Sequence, residues 1–509
     1  MIMPDRIIKY ILIFLIIFTP VAFGSTDFWA FSLMELGILL IIILWAIQNV
    51  VGNGLKPFRT RVRHAPRGVH GSLEPRRIHG QSPEPYVVQG GVWSLKYEIL
   101  LISMFLILVL FQMIPLPSGI IQVISPKTYE LRNLLTVTVP HSLPAGQAGA
   151  IHNSQFPISF VPFATKMEFL KWVALIGLFL FLLGWKPMNG KYRTLDHLIL
   201  VIMLVGIAES LYGMFESFSG HRHILHIQRS AIPFFDSVFV TGTFINRNHF
   251  AGYLLMVIPL SVGYLFSLEM FEKDRFRDWR HRLSNLDGKV ILTAFGIIVM
   301  ILGLFFSASR TGIISLLLSF SLITFLFRGS KKERSYSKTS VFIFGLALLW
   351  AGSIGLDVVV SGFFTVTEDL VSRRGIWENA VDILKDFPIL GSGLGTFNHV
   401  FPMYRSFHIR GLITHAENDF LQLASEVGFL GTGLLIAIFL FLFFKAVRGI
   451  RSLLPTNLNR YLASGGIVGI LALMFHSTVE RNLQVPSNAF LYTFLWAMVI
   501  RISTDKGGR

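Results

Sequence analysis

The sequence predicts an all-α fold: a polytopic membrane protein of about 12 transmembrane helices, with a large periplasmic loop that contains short helices. Three observations predict it. Of the 509 residues, 53% are hydrophobic and only 15% are charged. Apolar runs close to the ~20 residues that a helix needs to cross a bilayer recur from end to end. Lys and Arg, which outnumber Asp and Glu by 45 to 29, collect in alternate polar intervals.

That last pattern is the positive-inside rule. With the N-terminus in the cytoplasm, the intervals on that side hold more than twice the Lys and Arg of the opposite side. Both termini are then cytoplasmic. The net charge of +16 is thereby explained by cytoplasmic loops, without nucleic acid as a partner. Zero cysteines exclude disulfides, thiolate metal sites and a cysteine nucleophile.

The expected spans are 7–23, 31–50, 97–116, 168–185, 196–216, 249–268, 290–308, 311–327, 340–357, 428–444, 461–475 and 487–502, in one integral membrane domain over 1–509. Several are short, so tilt or helix extension is expected. The first reads as a retained span after Arg6 and Lys9; cleavage near Ala22–Gly24 is the alternative.

The loops differ in character. Residues 51–96 carry Arg59, Arg61, Arg63, Arg67, Arg76 and Arg77 among Pro and Gly, which predicts a disordered basic cytoplasmic loop. Residues 117–167 form a periplasmic loop whose prolines, from Pro117 to Pro162, preclude one long helix. Residues 269–289 are a second basic cytoplasmic loop. Residues 358–427 form the large periplasmic loop. In it, Trp377, Ala380, Val381 and Leu384 have helical spacing up to a stop at Pro388. The following GSGLGTF reads as a turn, because it follows a helix and lacks a phosphate-loop lysine.

Three polar groups stand out at expected helix ends on the periplasmic side. In THAENDFLQLASEVGFLG, a helical reading puts His415, Asn418, Asp419, Gln422 and Glu426 on one face at the mouth of a span. In GTFINRNHFAGYL, Asn246 or Asn248 caps a helix, or the group binds a polar head group. In FSASRTG, Arg310 sits among small residues. It either snorkels or holds a phosphate, which a guanidinium matches bidentately. Glu480 and Arg481 read as a local ion pair, or as a second polar wall of the same pocket.

Taken in order, GTFINRNHFAGYL, SRTG, SRRGIWENAVDIL…FPILGSGLGTF and HAENDFLQLASEVGFLG resemble the O-antigen ligase/polymerase superfamily over a family-like core at 200–450. The resemblance implies a metal-independent, inverting membrane glycosyltransferase of the C type, without cofactor, in the bacterial inner membrane. Its donor is a glycan on undecaprenyl diphosphate. Its acceptor is a hydroxyl of lipid A core, a growing glycan or a protein, at the periplasmic face of the bilayer. By motif, the arginines that hold the lipid diphosphate fall on Arg310 and Arg373, with Arg374 the neighbouring alternative. Many members read His-Ala-His-Asn-Asp where this chain has His-Ala-Glu-Asn-Asp, so the base is Glu417 or His415. Asn248, Asn418, Asp419 and Glu426 are supporting residues, and no metal ligand is implied. The competing class is a transporter or flippase for a polar or lipid-linked substrate, for which Glu209 and Glu216 are the candidate intramembrane groups.

Overall fold

The computed structural model describes residues 3–54, 95–137, 155–185, 191–221, 223–228, 239–268, 287–326, 366–407, 412–454 and 457–504. In chain order the helices are α1 (Met3–Val21), α2 (Phe28–Gly54), α3 (Lys96–Met113), α4 (Ser118–Ile124), α5 (Pro126–Val137), α6 (Pro162–Gly184), α7 (Lys191–Ser219) and α8 (Arg247–Ser267). They continue with α9 (Gly288–Phe306), α10 (Arg310–Leu326), α11 (Val366–Asp386), α12 (Phe397–Val400), α13 (Asp419–Ser452), α14 (Leu458–His476) and α15 (Pro486–Thr504). The described strands are two-residue pairs. β1 (Leu116–Pro117) runs antiparallel to β2 (Gln155–Phe156), and β3 (His223–Ile224) to β4 (Ile227–Gln228).

Asparagines and an aspartate start several helices. Asn246 accepts from the Asn248 amide, Asn418 from Leu421 and Asn457 from Asn459, while Asp287 caps α9. Each satisfies a donor that the helix itself leaves open. Pro162 opens α6 at a position where proline loses no helical bond.

Helix α8 is the axis of the bundle, buried from His249 to Gly263 without a break. It lies closest to α14, where a Cβ on Gly263 would strike the Tyr461 carbonyl and one on Gly465 the Pro259 carbonyl. Apolar side chains gain little from leaving lipid for protein, so such small-residue contacts and internal hydrogen bonds carry helix association. Around this axis the interior is filled by Phe181, Phe250, Tyr253, Phe266, Tyr461 and Phe494.

Among the described residues, seven helices are long and apolar enough to cross a membrane: α2, α3, α6, α7, α8, α9 and α13. The other expected spans at 7–23, 311–327, 461–475 and 487–502 fall on α1, α10, α14 and α15, which do not reach that standard. α1 opens with Asp5, Arg6 and Lys9, and α10 has 17 residues. α14 and α15 are buried helices carrying polar residues such as Ser464, Ser487 and Asn488, which neighbouring helices rather than lipid must accommodate. Most of the span at 340–357, the bulk of the 51–96 loop, and residues 138–154, 269–286 and 408–411 lie outside the described residues.

One expectation is corrected. Residues 414–418 are not helical, so His415 and Asn418 do not share a helix face with Gln422 and Glu426: the helix starts at Asp419 because Asn418 caps it. The span at 428–444 falls within α13 and begins where that helix changes direction, at Gly428 (φ 64°, ψ −174°).

That bend is locked by the turn after α11. Phe429 and Leu430 amides donate to the Pro388 and Ile389 carbonyls, and the Ser392 and Gly393 amides donate to Ser425 and Glu426. Gln112, at the end of α3, binds the Leu390 and Glu426 carbonyls through Nε2 and the Leu394 amide through Oε1. The last stretch of the 117–167 interval packs onto the same turn, with the Phe160 amide on the Ser392 carbonyl.

Candidate active site

The polar residues singled out above gather at one end of the bundle. There α8, α10, α13 and α15 begin and α9 and α14 end. The Asp419 amide donates to Ser477, and the Val240 amide to Phe306. Ser309 Oγ lies 3.5 Å from His476 Nε2.

Glu480, in the loop between α14 and α15, is the junction. Its Oε1 accepts Arg373 Nη2 at 2.5 Å from α11 and Asn248 Nδ2 at 2.6 Å from α8. Arg373 Nη1 donates to the Val479 carbonyl at 2.6 Å. Burial pushes the Glu480 carboxyl up, and the Arg373 guanidinium opposes it. Next in sequence, Arg481 faces Glu417, with Nε 3.4 Å from Oε1. The local ion pair read for Glu480 and Arg481 is therefore corrected. Each turns to a partner far away in sequence, because both side chains project from a short loop onto elements on either side.

Glu417 has a left-handed backbone (φ 50°), rare for a residue with a side chain. It sits in the turn that the Asn418 cap creates. Trp377 Nε1 donates to the Ala416 carbonyl at 2.9 Å and ties this turn to α11, four residues after Arg373.

His415 is oriented by a chain of hydrogen bonds. Its Nδ1 lies 3.2 Å from Gln422 Oε1, which also accepts the Ala416 amide. Gln422 Nε2 donates to Glu426 Oε1, and the Glu426 carboxylate accepts the Gly395 and Phe397 amides. A carbonyl oxygen cannot donate, so Nδ1 carries the proton and Nε2 is left as the acceptor. Burial pushes the imidazole down to about 3, and the Arg481 charge adds to that.

His476 is fixed in the opposite sense. Asn482 Nδ2 donates to its Nδ1 at 3.1 Å, so Nε2–H points to Ser309, beside Arg310. Arg310 opens α10 half-buried, and Arg373 is the charged group that His476 feels most. Several buried polar atoms here have no partner, among them His249 Nε2, Glu480 Oε2 and Asn482 Oδ1. Unpaired buried groups are costly, and a bound polar ligand or water satisfies them.

The expected residues thus divide. Arg373, Asn248, His415, Glu417 and Asp419 come together, and Ser309 brings Arg310 to the His476 side of the cluster. Asn418 is the helix cap. Glu426 is held inside by the glycine turn and reaches the site through Gln422. Arg374 points away: it is 82% exposed and pairs with Glu378 one turn along α11. GSGLGTF is a turn whose amides close on Glu426, so the protein's own carboxylate occupies the anion position. Composition and spacing placed Gln422 on the polar face without a role, offered Glu480 and Arg481 only as a possible second wall, and left His476 out; the two charges in an 11-residue interval between apolar runs were the available signal. Among the described residues no three His, Cys, Asp or Glu side chains are placed to hold a metal ion.

Residues 295–436 match the family model Wzy_C, O-antigen ligase. The motif resemblance is borne out there. The match is narrower than 200–450 and runs from α9 into α13. It contains Arg310, Arg373, His415 and Glu417, whereas Asn248, Glu480 and Arg481 lie outside the O-antigen ligase stretch and are added to it by the fold. No curated protein matches the chain. The O-antigen ligase match covers residues 295–436 alone, and helices before it and at both of its ends are long and apolar enough to cross a membrane.

Proposed function

We propose that the chain is an O-antigen ligase-like glycosyltransferase. It moves a glycan from undecaprenyl diphosphate to an acceptor hydroxyl at the periplasmic face of the bacterial inner membrane, by inversion and without a metal. One observation carries the reading: Arg373 and Arg481, from separate elements, converge with His415 and Glu417 at the end of an apolar bundle, with Arg310 on the adjoining helix start.

The acceptor oxygen attacks C1 of the donor sugar from the face opposite the diphosphate. The C1–O bond breaks and its electron pair leaves with the diphosphate. Arg310 and Arg373 stabilise the charge that develops there, in surroundings where fixed donors act strongly. The acceptor proton passes to His415 Nε2 or to the Glu417 carboxylate. An imidazole held near 3 is a weak base on its own, and a bound diphosphate raises it by its negative charge. His415 is therefore a base that becomes effective with donor in place.

The transporter reading needs ionisable groups free to bind cargo inside the bundle. Glu209 instead accepts the Thr243 amide at 2.8 Å and the Thr243 hydroxyl at 2.9 Å, which clamps the chain between α7 and α8. The deciding experiment removes the gene and follows the lipid-linked glycan. Accumulated undecaprenyl-linked polymer supports ligation, single linked repeats support polymerisation, and unchanged glycan at surface and membrane contradicts the proposal.

A further inference from the structure

The arginine assigned to the diphosphate already holds an anion. Arg373 Nη2 lies 2.5 Å from Glu480 Oε1, and Nη1 lies 2.6 Å from the Val479 carbonyl oxygen. The Glu480 side chain is 2% exposed. Its Oε1 also accepts from Asn248, whereas Oε2 is buried without a hydrogen-bond partner. The other charged groups around this carboxylate are Glu417, in the turn before α13, and Arg481, in its own loop. Those two face each other at 3.4 Å. Three imidazoles share the surroundings: His249 on α8 and His415 feel the Arg481 charge, and His476 at the end of α14 feels Arg373.

A diphosphate and a carboxylate compete for one guanidinium. Once Arg373 turns to the diphosphate, Glu480 is a buried anion without its cation and beside a second anion. Arg481 is engaged with Glu417, whose charge adds to the repulsion. A carboxylate in that position takes a proton and becomes neutral rather than remain charged. Burial already pushes the Glu480 carboxyl up, and the Arg373 charge is what opposes it most.

We propose that Glu480 holds the place of the diphosphate on Arg373 in the free protein, and that donor binding displaces it from the guanidinium with uptake of a proton from water. The neutral acid keeps the Asn248 amide on its carbonyl oxygen. Its Oε2–H, on the oxygen without a partner, donates to a diphosphate oxygen. No covalent bond to carbon changes: a proton moves from water to the carboxylate, and the Arg373–Glu480 pair is exchanged for an Arg373–diphosphate pair. The inference rests on the donor-site reading and deepens it with a residue outside the family match. Glu480 orients Arg373 before the donor arrives and contacts the diphosphate afterwards.

Undecaprenyl diphosphate added to the purified full-length protein tests it, by infrared difference spectroscopy and by calorimetry in buffers of different ionisation heat. The infrared difference is expected to gain the carbonyl band of a neutral carboxyl group. Glu480→Gln loses that band, and undecaprenol, which lacks the diphosphate, does not produce it. Calorimetry is expected to count about one proton more in wild type than in Glu480→Gln, a difference in which the titration of the diphosphate and of His415 cancels. From neutral to mildly alkaline pH, wild-type affinity falls relative to Glu480→Gln by up to about tenfold per pH unit, the linkage of one proton. Glu480→Asp keeps the band at a shifted position, so the assignment is decided even if the Gln variant does not fold. The inference is overturned if wild type binds the diphosphate without the band, or if band and proton count are the same in Glu480→Gln. Arg373→Ala tests the donor reading separately. Wild-type affinity in that variant, or no binding by wild type, contradicts both readings; binding that needs Arg373 but takes up no extra proton contradicts this inference alone.

Discussion

Arg373 and Glu480 meet across 107 residues of sequence, with Nη2 and Oε1 2.5 Å apart. Glu480 is 2% exposed at its side chain and Arg373 23%. The same carboxylate holds Asn248, so one side chain ties α11, α8 and the α14–α15 loop together.

Breaking a buried pair from one side leaves an uncompensated charge, at about 3–5 kcal/mol for a fully buried pair. Arg373 is partly exposed, so the lower end applies. Arg373→Ala is expected to lower the thermal midpoint and to abolish transfer. The double variant Arg373→Ala with Glu480→Ala recovers much of the stability and none of the activity. Thermal unfolding in detergent beside a transfer assay separates the two effects, and activity that returned with stability would reduce Arg373 to a structural role.

His415→Ala is expected to reduce transfer by about 10²- to 10⁴-fold, the usual contribution of general base catalysis. Gln422→Leu, which removes the acceptor for Nδ1–H, reduces it by about 10- to 100-fold, on the scale of partners that orient a histidine. Glu417→Ala distinguishes the two candidate bases. A larger loss at Glu417 than at His415 would transfer the role to the carboxylate.

The pH dependence follows from the His415 shift. The ratio kcat/KM reports groups of the free enzyme. With the imidazole down at about 3, its acid limb belongs far below the ordinary histidine range, whereas kcat, measured with donor bound, bends at higher pH. For stability the sign is fixed. The folded pKa lies below the unfolded value, so the unfolded chain binds the proton first. The contribution is full above the ordinary value of 6.5 and is lost as pH falls towards 3. His415→Gln is expected to flatten the stability profile in that window; an unchanged profile would contradict the buried neutral form.

Gly428 is expected to resist substitution. A side chain there would adopt φ 64° and its Cβ would meet the Ile389 carbonyl. Gly428→Ala therefore costs about 1–3 kcal/mol, the range for a residue forced into a sparsely populated backbone region. Because Glu426 and Gln422 sit just before the bend, activity falls with it.

Much of the helical framework was legible in the sequence, because local signals define it: apolar runs, Asn246 at a helix start, and Pro388 after α11. The family stretch was legible from the order of short motifs. The turn at 414–418 was not, because the three- and four-residue steps from His415 to Glu426 fit a helix equally well. Only the Asn418 cap shows where the helix begins. Glu480 and Arg481 were misread for another reason. Adjacent opposite charges suggest a local pair, and their true partners, Arg373 and Glu417, are brought near by packing alone.

The most direct measurement is the binding of undecaprenyl diphosphate to the purified full-length protein and its arginine variants. Arg310→Ala and Arg373→Ala are each expected to weaken binding by about tenfold or more, as loss of a charge-assisted, hydrogen-bonded contact does. Arg374→Ala, one residue further on and facing outward with Glu378, leaves it unchanged. Equal losses at Arg373 and Arg374, or wild-type affinity in both Arg310→Ala and Arg373→Ala, would contradict the account.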